Sequence, residues 1–383
     1  MIRICKRFGC ILTALCLLAT LMLTGCGVRK DEPAGLKTEA LPCIHEPEFG
    51  GVYIQMTIDE FNALGFAYGD SVNVTFSNGY QMDNLPYYNG YYTVTGDPLL
   101  IAYPGYDYIK AAINNGDDLW TVAELDDAST AVISLAERGK YLNIQQARDI
   151  HYDDDRALFA SDAVFANFRS VNVGNLKKSI LYRSASPCDN QHNRAPYVDK
   201  LIEKAGVQYI VDLADTDEKI QKYISGDDFD SPYFLSLYES GRVIPLALNM
   251  NFASDEFKSK IVGGLAAMAE NDGPYLVHCT EGKDRTGFVC ILLELFAGAS
   301  YREVVDDYMV TFDNYYGITE SSDKVKYETI ISSLFLPMLQ CIVDADLDSM
   351  TPETNLSAYA ERYLRSAGMQ DGQIEALRAN LIG

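Results

Sequence analysis

The rhythm of apolar and polar positions changes three times along the chain. From Phe8 to Leu23 the residues are almost continuously apolar. From about 49 to 145 short runs alternate instead, as in Ser71-Val72-Asn73-Val74-Thr75-Phe76, and a period of two puts every second side chain on one face of a strand. Asn78-Gly79 follows that run as a hairpin turn, and Asn89-Gly90 and Asn115-Gly116 repeat the signal. The expectation for 49–145 is a small β-rich module, a sandwich or a barrel. Tyrosines crowd it (Tyr87, Tyr88, Tyr91, Tyr92, Tyr103, Tyr106, Tyr108) and read as strand-face packing, with a carbohydrate- or protein-binding face as the alternative. Residues 26–48, with Pro33, Pro42 and Pro47, read as a tether.

From about 170 the pattern becomes helix and buried strand in turn. Tyr197, Val198, Leu201, Ile202 and Ala205 share one face of a helix closed by Gly206. Apolar strands are predicted at 207–213, 243–248 and 275–277, and helices at 256–269 and 288–296. The remainder, 302–381, is helical by period, with Thr351-Pro352 as a cap and first-turn pair. Such alternation predicts an α/β fold, a central sheet covered by helices.

Composition narrows the class. With 31 Lys+Arg against 54 Asp+Glu the net charge is −23, which disfavours partners held by cation exchange such as nucleic acid. Nine Cys in 383 residues is too sparse for a disulfide scaffold. The apolar run is preceded by Arg3, Lys6 and Arg7 and ends in Leu23-Thr24-Gly25-Cys26, so 1–25 read as a lipoprotein signal peptide with Cys26 as the lipidated residue. An uncleaved anchor helix is the alternative; either places the rest of the chain outside the cytoplasm, held at the cell membrane. Cleavage leaves Cys43, Cys188, Cys279, Cys290 and Cys341 as thiols, an odd number with no metal-ligand spacing, so at least one stays free. No metal or cofactor is expected.

One segment carries chemistry. A buried strand enters His278-Cys279-Thr280-Glu281-Gly282-Lys283-Asp284-Arg285-Thr286-Gly287, and a buried helix leaves it. Successive backbone N–H groups in such a loop form an anion nest, to which the helix N-terminus adds its positive end. An arginine grips two phosphate oxygens at once, and a field of that sign favours a thiolate nucleophile. Cys–Arg spacing alone is weak evidence, since nine Cys and 15 Arg in 383 positions give ~0.35 pairs at any fixed separation. Cys188 and Arg194 have the same spacing, without the internal Gly or the Thr-Gly, and read as surface loop.

On these residues the chain resembles the cysteine-dependent protein tyrosine phosphatases, and its H-C-x-x-G-K-D-R-T-G form is similar to a bacterial branch also known for dual-specificity and phosphoinositide activities. Leu181-Tyr182-Arg183-Ser184, Val211-Asp212-Leu213 (with Ala214 where that branch has Arg) and Asp306-Asp307-Tyr308 fit further family segments. The resemblance implies a catalytic domain at 165–381 of α/β/α build, preceded by the β-rich module it does not explain. By it, Cys279 is the nucleophile, Arg285 the phosphate clamp, and Thr280, Glu281, Gly282, Lys283, Asp284 and Arg285 the cradle. His278 would orient the loop and Thr286 assist the departing sulfur. The general acid is Asp284, or else Asp255 on the preceding loop. Protein phosphotyrosine or a similar monoester is the expected substrate. A phosphoinositide phosphatase and a non-enzymatic surface-binding lipoprotein are the competing functions.

Overall fold

The computed structural model describes residues 35–347 and 356–383. The signal segment, Cys26 and the Thr351-Pro352 pair lie outside the described residues. Of the two units into which the chain divides, Met1–Leu36 is almost wholly outside them, and Lys37–Gly383 holds all that follows.

The first part of this unit is a closed barrel. Its elements are β1 (Leu41–Glu46), β2 (Gly51–Ile54), α1 (Ile58–Ala63), β3 (Ser71–Phe76), β4 (Gln81–Tyr88), β5 (Pro98–Ile101), β6 (Ile109–Ile113), α2 (Leu119–Val122), β7 (Thr130–Glu137) and α3 (Leu142–Arg148). The strands close in the order β1-β2-β6-β5-β4-β3-β7. The alternation read at 71–76 is kept, with Val72, Val74 and Phe76 buried and Asn73 and Thr75 not. Asn78-Gly79 makes the β3–β4 hairpin, but the other two turn signals do not make hairpins. β4 and β5 pair in parallel, and β6 runs on to α2 and pairs with β2 and β5. The tether reading also fails beyond residue 37: β1 pairs with β2 through Cys43–Ile54 and with β7 through Leu41–Ala131, and without it the barrel would be open. The tyrosine expectation holds for Tyr87 and Tyr88, which are buried, while Tyr91 and Tyr92 line cavities.

The second part is an α/β/α layer structure. A five-stranded sheet runs β11 (Val243–Pro245), β10 (Tyr209–Asp212), β12 (Tyr275–His278), β9 (Leu181–Ser184), β8 (Arg169–Ser170), parallel except for β8. Around it lie α4 (Asp162–Phe165), α5 (Ala195–Ala205), α6 (Asp217–Ile224), α7 (Pro232–Glu239), α8 (Asp255–Glu270), α9 (Asp284–Phe296), α10 (Tyr301–Tyr316), α11 (Lys324–Ile330), α12 (Leu336–Ile342), α13 (Ser357–Ser366) and α14 (Asp371–Leu381). Consecutive strand residues feed opposite cores. Val211 and Val277 join Leu265, Phe288 and Leu377 on one face, and Ile210 and Leu276 join Val198, Ile202 and Phe234 on the other. β12 therefore sits mid-sheet with both faces covered, and the loop after it opens at the carboxyl edge, where open α/β sheets place their ligand crevice. Among the described residues no helix is long and apolar enough to cross a membrane.

Candidate active site

The loop Cys279–Lys283 connects β12 to α9, both buried along nearly their whole length. What shapes it is where its carbonyls go. His278 Nδ1 lies 3.4 Å from Cys279 O; Thr280 O accepts from Ser186 N at 3.0 Å. Glu281 O accepts from the Tyr315 hydroxyl at 2.7 Å, and Gly282 O from Arg183 Nη2 at 3.1 Å and Asn167 Nδ2 at 3.2 Å. In a trans peptide the following N–H points opposite to the carbonyl. Tying four successive carbonyls to the surroundings thus turns the amides of Thr280 to Lys283 the other way, and those of Asp284 and Arg285 belong to the unsatisfied first turn of α9. None of these six amides donates to an acceptor among the described residues. They form a nest with the positive end of a 13-residue helix behind it.

Gly282 is required for this path. Its φ is +69°, and a Cβ there would meet Ser184 O at 2.2 Å, so the loop presses directly on the end of β9. The carbonyl ties are themselves anchored. Arg183, almost fully buried, bonds Asp307 at 2.8 Å, and Arg169 meets the same carboxylate at 3.0 Å. Burial would raise Asp307, but the two guanidinium charges outweigh it and hold its pKa well below the usual carboxylate range.

Cys279 is buried at the rim of the nest. Arg285 rests on Leu248 O at 3.1 Å and Thr280 Oγ1 at 3.5 Å, with no carboxylate partner among the described residues. The Thr286 hydroxyl, buried, bonds to nothing among the described residues, so the hydrogen bond expected from it to the sulfur is not made here. Lys283 is spent on Glu281 at 2.8 Å and lies 3.8 Å from Asp284. Asp284 lines a cavity of about 350 Å³; Asp255 is an exposed first-turn residue of α8, beside the Ser254 cap, and lines none of the cavities described.

Behind the loop, burial lowers the His278 pKa to about 4, leaving a neutral imidazole, with Nε2 3.9 Å from Asp212 Oδ2. Burial also pushes Asp212 and Asp215 up to about 6. Cys188 joins them: its sulfur and oxygens of the two carboxylates lie within 4.8 Å of one another, a donor set that chain spacing hides because it comes from the loop after β9, the last residue of β10 and the loop that follows it. Cys188 and Arg194 are therefore not surface loop. Both are buried, and Arg194 bonds Asp154 at 2.6 Å between the rings of Tyr152 and Phe165. Tyr152 stacks in turn on Tyr315 at 4.8 Å, which ties the segment joining the two parts to the cradle. Asn167, Arg169, Tyr315 and Arg194 were missed from sequence because nothing local marks a residue that acts by reaching a carbonyl, carboxylate or ring tens of positions away or more.

Residues 165–383, more than half of the chain, match the family model described as the tyrosine phosphatase family. The chain belongs to that family. Fifty-six residues are 41% identical to a tyrosine-protein phosphatase of Nostoc commune, covering 15% of this chain and 19% of that relative. Among solved structures, the core catalytic domain of the PP-IP phosphatase SIW14 from S. cerevisiae is 20% identical over 44% of this chain and 85% of that one, with a TM-score of 0.26. TpbA from P. aeruginosa in complex with pTyr is 18% identical over 42% and 86%, with a TM-score of 0.25.

Proposed function

We propose that this chain hydrolyses phosphate monoesters, protein phosphotyrosine foremost, through a cysteinyl-phosphate intermediate on Cys279. The observation that carries the reading is the run of six unspent amides at Thr280–Arg285 beside a cysteine at a helix N-terminus. A phosphate dianion placed there has its equatorial oxygens met by N–H groups and by Arg285 once that side chain leaves Leu248 O. The Cys279 sulfur attacks phosphorus and the P–O bond to the leaving group breaks. Asp284 gives that oxygen its proton; Asp284 then accepts a proton from water as water attacks phosphorus and the S–P bond breaks. Thr286, with a hydroxyl to spare, supplies a hydrogen bond to the departing sulfur.

The pairing of Lys283 with Glu281 and Asp284 supports a monoester over a polyphosphorylated inositide, because the loop itself offers no spare lysine. We also propose that the chain acts outside the cytoplasm as a lipoprotein anchored through Cys26, on the strength of the segment that ends there. Acid quench of the chain during turnover of a phosphorus-labelled aryl phosphate tests the mechanism. Label should be recovered on the peptide containing Cys279; turnover with label on any other residue contradicts it.

A further inference from the structure

Arg148 ends α3, the helix that carries the chain out of the barrel, and its side chain stacks on the Tyr92 ring at 5.1 Å. It makes no hydrogen bond and no ion pair among the described residues. It faces the 350 Å³ cavity, whose wall is shared between the two parts of the molecule: Tyr91 and Asn114 from the barrel, Met250, Phe252 and Asp284 from the catalytic part. Burial lowers the guanidinium's pKa, and the Asp284 charge is the first influence to oppose it. Arg148 is partly buried, and its five donors face the cavity unspent, so they are open to an anion that enters there. Asp284 is not that anion: it lies beyond ion-pair distance from Arg148, and its carboxylate is nearest Lys283. Lys283, which lines a smaller cavity with Arg148 and Asp284, is already paired.

We propose that Arg148 binds a second anionic group, a phosphate or a carboxylate, carried on the leaving group of the phosphomonoester whose scissile phosphate sits on the Thr280–Arg285 amides. The inference rests on the phosphatase reading and extends it to the substrate. Asp284 belongs both to the first turn of α9, whose amide closes the cradle, and to the cavity wall, so a leaving group it protonates projects into that cavity, toward Arg148. The barrel thereby gains a role, as the far wall of the leaving-group site.

Two pairs of substrates separate the sources of the anion. One pair is benzene-1,4-bisphosphate against phenyl phosphate; the other is a phosphotyrosine peptide flanked by glutamates against one flanked by alanines. At least one pair should show a kcat/KM preference for the second anion, and Arg148→Met should cut that preference by about tenfold or more, the value of one charge-assisted contact. Arg148→Lys, which keeps the charge without the fork, should restore part of it. Absence of preference in both pairs, or preference that survives in Arg148→Met, overturns the proposal. Calorimetry of the same compounds on Cys279→Ser protein reads the contact without turnover, and equal affinity with and without Arg148 would overturn it too. If turnover is absent yet affinity depends on Arg148, the phosphatase reading falls and the anion site stands.

Discussion

Asp284 and Asp255 both occupy the first turn of a helix, but only Asp284 faces a cavity beside the cradle. A proton donor must reach the leaving oxygen, and it is this difference in position on which the proposal of Asp284 rests. Asp284→Asn is expected to slow alkyl and poor aryl leaving groups by about a hundredfold, within the usual range for general acid catalysis, while activated nitrophenyl esters lose far less. Asp255→Asn should leave that dependence flat. A steep dependence in Asp255→Asn, or none in Asp284→Asn, reverses the assignment. The strand–loop–helix run that holds Cys279, Gly282 and Arg285 was legible in sequence because its spacing is local and rigid. Arg148 was not, since nothing in Leu142–Arg148 records that its last residue lines a cavity with Asp284, 136 positions later.

Elements were legible where burial is two-sided and blurred where pairing is supplied from afar. The sheet strands and the long helices lie close to where their periodicity put them. β1, in contrast, is Leu-Pro-Cys-Ile-His-Glu, a segment with no clean alternation that becomes a strand because β2 and β7 both need a partner. The ends of β9 and β10 carry the polar supports of the cradle. Removing one partner of a buried ion pair costs about 3–5 kcal/mol. Arg183→Met should therefore lower the free energy of urea unfolding by an amount in that range and release Gly282 O, with loss of activity; a variant of wild-type stability and turnover would show that Arg183 holds nothing. Asp215, at the β10 end, makes a pH-dependent contribution of known sign. Its pKa rises from 3.8 to about 6 on folding, by burial and by the Asp212 charge. The native state thus binds more protons between those values, so stability falls as pH rises through that window and the deficit is complete above about pH 6. Asp215→Asn should stabilise by about 1–3 kcal/mol at pH 7.5 and by little at pH 3.5. An equal effect at both pH values would show that ionisation is not the cause.

At the scale of the whole molecule, charge and layout pull together. A net −23 spread over the chain makes phosphate capture depend on the cations and amides next to it, and the six unspent amides of Thr280–Arg285 and the Arg285 side chain lie together after β12, at the carboxyl edge of the sheet. The division into a β-rich part and an α/β/α part was legible; that the barrel helps wall the site was not, because a cavity between two parts has no sequence pattern. Membrane attachment is expected to require Cys26, so that Cys26→Ala chain appears in the soluble fraction of cells expressing it, and retention in the membrane fraction would contradict lipidation there. The central claim is more direct still: the sulfur of Cys279 takes the phosphate. Hydrolysis of an aryl phosphate by the wild-type chain should fall to background in Cys279→Ser, with the folded protein still binding the ester, and turnover that persists in Cys279→Ser would contradict the account.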